Sequence, residues 1–198
     1  MIKIIIQSMV VFFILWHSMS TAAASVKNSC NSEAATFIAT PNQKTIKLVS
    51  GDNDIKCWNI IKLNANLNKV LHTLKKGNEW SAQYIIKHIK YLDGGNLEDS
   101  IIALGEFSTI YSDGMEKLML SVKDSLLPKN LFKDALTMLP LSLSDDPCKQ
   151  LSALKFREDR VLRVIKNNLA DEKIFALKAI DDFMLEIKTN TPNLPCVN

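Results

Sequence analysis

The sequence contains no HExxH, no GxSxG, no phosphate-binding glycine loop and no dinucleotide fingerprint. The zinc hydrolases, nucleophile-elbow esterases and nucleotide-dependent enzymes that depend on those arrangements are thereby excluded. No block of basic residues and no basic-aromatic platform is present, which argues against nucleic acid as a partner. No two cysteines lie close together and neither His72 nor His88 stands near one, so the spacing of a zinc site is missing. No cofactor or metal is expected. Nowhere does a convincing period-two strand pattern occur, and no uncharged run after the first residues approaches the roughly 20 residues of a membrane-spanning helix.

What is present begins with the leader. Lys3 precedes a mostly apolar run, Met9 to Trp16, followed by the small residues of "STAAAS", Ser20 to Ser25. This is the layout of a signal peptide. Ala22 and Ala24 meet the small-x-small requirement, which predicts cleavage after Ala24 and a single exported domain over 25–198, in the periplasm or outside the cell. With Lys3 lost, the 24 basic residues fall to 23 against 21 acidic ones, a balance of +2 that is interspersed along the chain. The 174 remaining residues suffice for one hydrophobic core.

All four cysteines, Cys30, Cys57, Cys148 and Cys196, follow the expected cleavage site. An even count in an exported chain points to disulfides. Of three possible connectivities, pairing nearest in sequence gives Cys30 with Cys57 and Cys148 with Cys196.

The rest reads as helix. "SEAATFIA" suggests a short helix from near Ser32 that Pro41 ends. Asp54 to Lys76 carries Ile60, Ile61, Leu63, Leu67, Val70, Leu71 and Leu74, with a break expected around Asn64 to Asn66 and a stop at Gly77. Asn78 caps a helix from Glu79 to Leu92, on which Ala82, Ile85, Ile86, Ile89 and Leu92 form an apolar stripe. After "DGG", Asn96 is placed to cap a more apolar inner helix through Tyr111, with Glu98 and Asp99 in its first turn. Gly105 within it would let a neighbour approach closely. Further helices are expected over Met115 to Leu126, Pro128 to Leu139, a segment capped by Asp146 with Pro147 first, and Ala170 to Lys188, with Ile174, Leu177, Ile180, Met184 and Ile187 on one face. The predicted fold is all-α: one disulfide-stapled domain of roughly six to eight antiparallel helices, a short α-solenoid or an irregular bundle.

The amphipathic helix Glu79 to Leu92 followed by the more apolar Leu97 to Tyr111 resembles a HEAT-type repeat, and "DEKIFALKAIDDFMLEI" has a similar texture. The resemblance covers about half of the mature chain, with an irregular repeat length. It implies a curved helical scaffold that binds other proteins and transfers no catalytic residue.

Trp80, Tyr84, His88 and Tyr91 make a second stripe beside the aliphatic one, a face for helix packing or for an aromatic partner contact. His88 lies near Asp93, Glu98 and Asp99 in sequence, an arrangement that can supply a general base, but capping accounts for the acids. "SDDPC" likewise opens a helix, and its adjacent carboxylates are not placed across a substrate as in glycosidases. "KFREDRVLR" reads as a solvated face of mixed charge, with Arg157 and Arg160 as candidate contacts for an anionic partner. His72 has no acidic neighbour. The expected function is that of a non-enzymatic exported module whose partner is another protein, such as an inhibitor or immunity protein against a toxin acting in the periplasm. Two alternatives are a carrier of a lipid or small apolar ligand, with a pocket lined by Met115, Met119, Met138 and Phe132, and a hydrolase using converging acidic residues.

Overall fold

The computed structural model describes residues 30–192 and Cys196, so the leader and its cleavage site lie outside the described residues. Among the described residues there are ten α-helices and no strand. The chain divides into two compact units, Met1–Leu63 and Asn64–Asn198.

In the first unit α1 spans 30–39, α2 Gln43–Val49 and α3 Asp54–Ile61. Pro41 follows the end of α1, as expected of a residue that cannot continue a helix. Asn42 then opens α2 with a reciprocal cap. Its Oδ1 accepts from the Lys44 and Thr45 amides at 2.9 and 3.0 Å, while its own amide donates to Thr45 Oγ1 at 2.9 Å. Two orphan donors of the helix start and the cap amide are satisfied together. A disulfide between Cys30 and Cys57 ties α1 to α3.

The second unit holds α4 (Asn64–Leu74), α5 (Glu79–His88), α6 (Gly94–Ile110), α7 (Gly114–Lys123), α8 (Lys129–Thr137), α9 (Pro147–Leu162) and α10 (Ala170–Asn190). Helix α6 touches α4, α5, α7, α8 and α9. Its apolar residues surround the axis rather than one stripe, and Ile101, Ala103, Leu104 and Phe107 are all buried, as an inner helix requires. The close approach at Gly105 is real. A Cβ there would meet the Ala135 carbonyl oxygen at 2.3 Å and the Arg157 guanidinium at 2.7 Å.

Several boundaries differ from those the sequence suggests. Ten helices replace six to eight, because the stretch before Asp54 forms two and the run from Asp54 breaks at Lys62 and Leu63. Helix α5 ends at His88 and tightens into a 3₁₀ turn, Ile89–Tyr91. Helix α6 begins at Gly94, so Asn96 is inside it and no side chain caps it. Asn96 instead donates from Nδ2 to Asn64 Oδ1 at 3.2 Å. The buried face of α10 is Ala176, Ala179, Ile180 and Ile187, and Ile174 is 66% exposed. The start of α9 follows the sequence: Pro147 is first and Asp146 accepts from the Lys149 amide at 3.0 Å. Cys148 and Cys196 form the second disulfide. No helix among the described residues is long and apolar enough to cross a membrane.

Candidate functional site

The four residues of the aromatic stripe separate. Successive residues at a spacing of four advance around a helix of 3.6 residues per turn, and α5 buries an arc wide enough to take in Tyr84 and His88 while leaving Trp80 at its edge. Tyr84 and His88 are 0% and 1% exposed. His88 Nδ1 lies 2.9 Å from the Tyr84 carbonyl oxygen. A carbonyl can only accept, so Nδ1 carries the hydrogen. The two rings are 4.4 Å apart, centroid to centroid. These two side chains belong to the packing face and not to a partner contact. Asp93, Glu98 and Asp99 are exposed while His88 is buried, which leaves the residues of the suspected catalytic cluster in different environments. Tyr91, on the 3₁₀ turn, is half-exposed beside Lys90.

Trp80 enters a groove of about 470 Å³ between α5 and α7. Trp80, Ala82 and Ile86 supply the α5 wall, Leu120 the α7 wall, and Leu126 closes one side. Leu126 is placed by the end of α7. Ser125 adopts a left-handed conformation, φ 58°, and the amides of Leu126 and Leu127 both donate to the Ser121 carbonyl, at 2.8 and 3.0 Å. This satisfies the helix's last carbonyls and reverses the chain. Leu127 turns inward and is buried, whereas Leu126 is left 57% exposed. The rim carries an ion pair of Lys117 with Glu79 at 2.7 Å, together with Lys87. The hydrogen bond from Glu79 raises the Lys117 pKa above its ordinary value, against the opposing effect of desolvation. The groove is thus an apolar slot with charged side chains at its edge.

Arg157 and Arg160 also part company. Arg157 is 3% exposed and donates from Nη1 to the carbonyls of Leu136 and Met138, at 2.8 and 2.9 Å, at the C-terminal end of α8. A cation there satisfies orphan carbonyls and complements the negative end of the helix dipole. Desolvation pushes its pKa down to about 10, with Glu106 acting in the opposite direction. It is a structural cap, not an anion-binding residue. Arg160 lies over the half-exposed Phe156 ring, 5.3 Å from its centroid, and the mixed charge of this helix does include the expected pair, Lys155 with Glu158 at 2.7 Å.

The remaining candidates sort by burial. Met115, Met119 and Phe132 are core residues, at most 2% exposed. His72 faces solvent. Cys30, Glu33 and Cys57 bring three possible ligand atoms within 4.8 Å of one another. With the sulfurs joined as a disulfide they offer no thiolate, the species that binds a metal. Sequence reasoning passed over Leu120, Leu126 and Lys117. The available signal was Leu126 itself, a large apolar residue after "KDS" where a helix was due to end.

No known family's model matches the chain, and neither does any curated protein or solved structure.

Proposed function

We propose that this chain is an exported, non-enzymatic protein-binding module whose partner inserts an apolar side chain into the α5/α7 groove, beside Trp80. The observation that carries the reading is the groove itself: a tryptophan on α5 and an exposed leucine in the turn after α7 line the same slot. Buried aromatic anchors flanked by a polar rim dominate the energetics of protein interfaces. Two disulfides support an oxidising compartment, and the leader sequence supports export. The resemblance to HEAT-type repeats points the same way. An inhibitor or immunity protein against a toxin of the periplasm is the specific form we favour.

A second reading has one observation in its favour. The groove's volume also falls within the roughly 300–1,000 Å³ of small-molecule sites, which would make it the apolar-ligand pocket of a carrier.

The test is affinity capture by the mature, oxidised protein from the exported fraction of its own cells, with Trp80→Ala and Leu126→Glu run beside it and Tyr91→Ala as control. The reading expects one stoichiometric protein, retained by the control and weakened at least about tenfold by the two groove variants, a typical hot-spot loss. Equal retention by all variants would refute the groove as the contact. A co-purifying lipid or metabolite, without a protein, would establish the carrier instead.

A further inference from the structure

The two disulfides of this chain occupy opposite environments. Cys30 and Cys57 are 4% and 0% exposed, whereas Cys148 and Cys196 are both partly exposed. The latter pair lines a groove of about 850 Å³ between α9 and α10, with Phe156 and Met184 as apolar walls and Lys155 and Lys188 at its sides. Thiol–disulfide exchange requires a thiolate to reach a sulfur along the S–S axis, so access decides which bridge can react. A buried bridge reacts only after the protein opens.

We propose that Cys148–Cys196 is a thiol–disulfide exchange site whose co-substrate is a dithiol entering the α9/α10 groove, and that Cys30–Cys57 takes no part. This is independent of the binding role assigned to the α5/α7 groove. One thiolate of the dithiol attacks Cys196 Sγ. The S–S bond breaks, and its electron pair departs on Cys148 Sγ. The second thiol of the reagent, once deprotonated, then attacks the reagent's own sulfur in the mixed disulfide and releases Cys196 as a thiolate. Protonation of both cysteines completes the balance: the dithiol is oxidised to its disulfide, and two electrons and two protons pass to the protein.

The order of attack follows from the position of Cys148. It is the second residue of the sixteen-residue α9, where the positive dipole end favours a departing thiolate, and the better leaving group is released first. The charged groups around the bridge do not cancel this preference. Asp146, before the helix, is engaged by Lys149, its carboxylate 2.9 Å from Lys149 Nζ. On the groove side Lys155 is paired with Glu158, and Lys188, from α10, lines the same wall as Asp159. Reduction removes the covalent tie between Cys196 and α9, and with it one edge of the groove.

The experiment treats the native, oxidised chain with dithiothreitol, quenches at intervals, tags thiols with a maleimide and maps the tags by peptide mass spectrometry. Cys148 and Cys196 are expected to be tagged together, at least about tenfold faster than Cys30 and Cys57, as access controls the rate. Equal rates, or earlier tagging of Cys30 and Cys57, would overturn the assignment. A short exposure to glutathione, a monothiol, reads the direction: the adduct is expected on Cys196 and the free thiol on Cys148, and the reverse distribution contradicts the order of attack. In a Cys196→Ser variant the alkylation of Cys148 should have its midpoint below the roughly 8.5 of an ordinary thiol. A midpoint at or above that value removes the role given to the helix start.

Discussion

Arg157 shows how a single side chain can change meaning between sequence and structure. In "KFREDRVLR" it alternates with acids and reads as solvated, yet it is buried, and its guanidinium serves two carbonyls at the end of α8. Nothing local announces this, because both acceptors are about twenty residues away. Removing the cation strands buried acceptors, so Arg157→Ala should destabilise the protein by about 3 kcal/mol, the scale of hydrogen bonds to a charged group. Arg157→Lys should recover only part of the loss, since an ammonium cannot reproduce the planar fork. Urea unfolding measures both, and a neutral Arg157→Ala would contradict the capping role. Asp146 offers the opposite case, a residue legible in advance. Hydrogen bonds from the Lys149 side chain and amide hold its carboxyl below the usual carboxylate range. A depressed folded-state pKa adds stability that is present above the unfolded value and disappears as pH falls through the folded one. Asp146→Asn should therefore melt below the parent at neutral pH, and the two melting curves should converge in strong acid. A gap that persists there would mean the carboxylate charge is not responsible.

At the scale of elements, the helices after Asp54 were written in the apolar spacing and α2 was not, whereas only some helix ends could be read. The stop at Gly77, the cap by Asn78 and the start at Pro147 depend on neighbouring residues and followed the sequence. The start of α6 did not, because Asn96 finds a partner in Asn64, and the apolar face of α10 is turned so that Ile174 is outside. Both outcomes depend on what each helix packs against, which local pattern does not contain. The same limit hid the α5/α7 groove: Trp80 was visible as an aromatic on a stripe, but its separation from Tyr84 and His88 depends on how far burial extends around α5. Gly105 gives an element-scale test with opposed expectations. Helix propensity alone favours alanine by about 1 kcal/mol. The Ala135 carbonyl and the Arg157 guanidinium leave no room for a Cβ, and overpacking a site that must move backbone costs about 3 kcal/mol. Gly105→Ala should therefore lower stability in thermal or urea unfolding, and a stabilised variant would show that α6, α8 and Arg157 do not meet as described.

For the molecule as a whole, each compact unit holds its own disulfide, Cys30–Cys57 in one and Cys148–Cys196 in the other. Loop closure over 27 and 48 residues corresponds to about 3.5 and 4 kcal/mol in the chain-entropy estimate. Because neither bridge joins the units, Cys148→Ser with Cys196→Ser should speed hydrogen exchange in α9 and α10 while leaving residues 30–63 unchanged. Faster exchange in both units would contradict that separation. The central claim concerns the groove beside Trp80, and its most direct test places a photo-crosslinking benzoylphenylalanine at Leu126 and illuminates the protein in its own cells. The expected result is one discrete crosslinked protein, absent when the same group replaces Tyr91. Equal crosslinking from both positions, or none from Leu126, would contradict a partner seated in the α5/α7 groove.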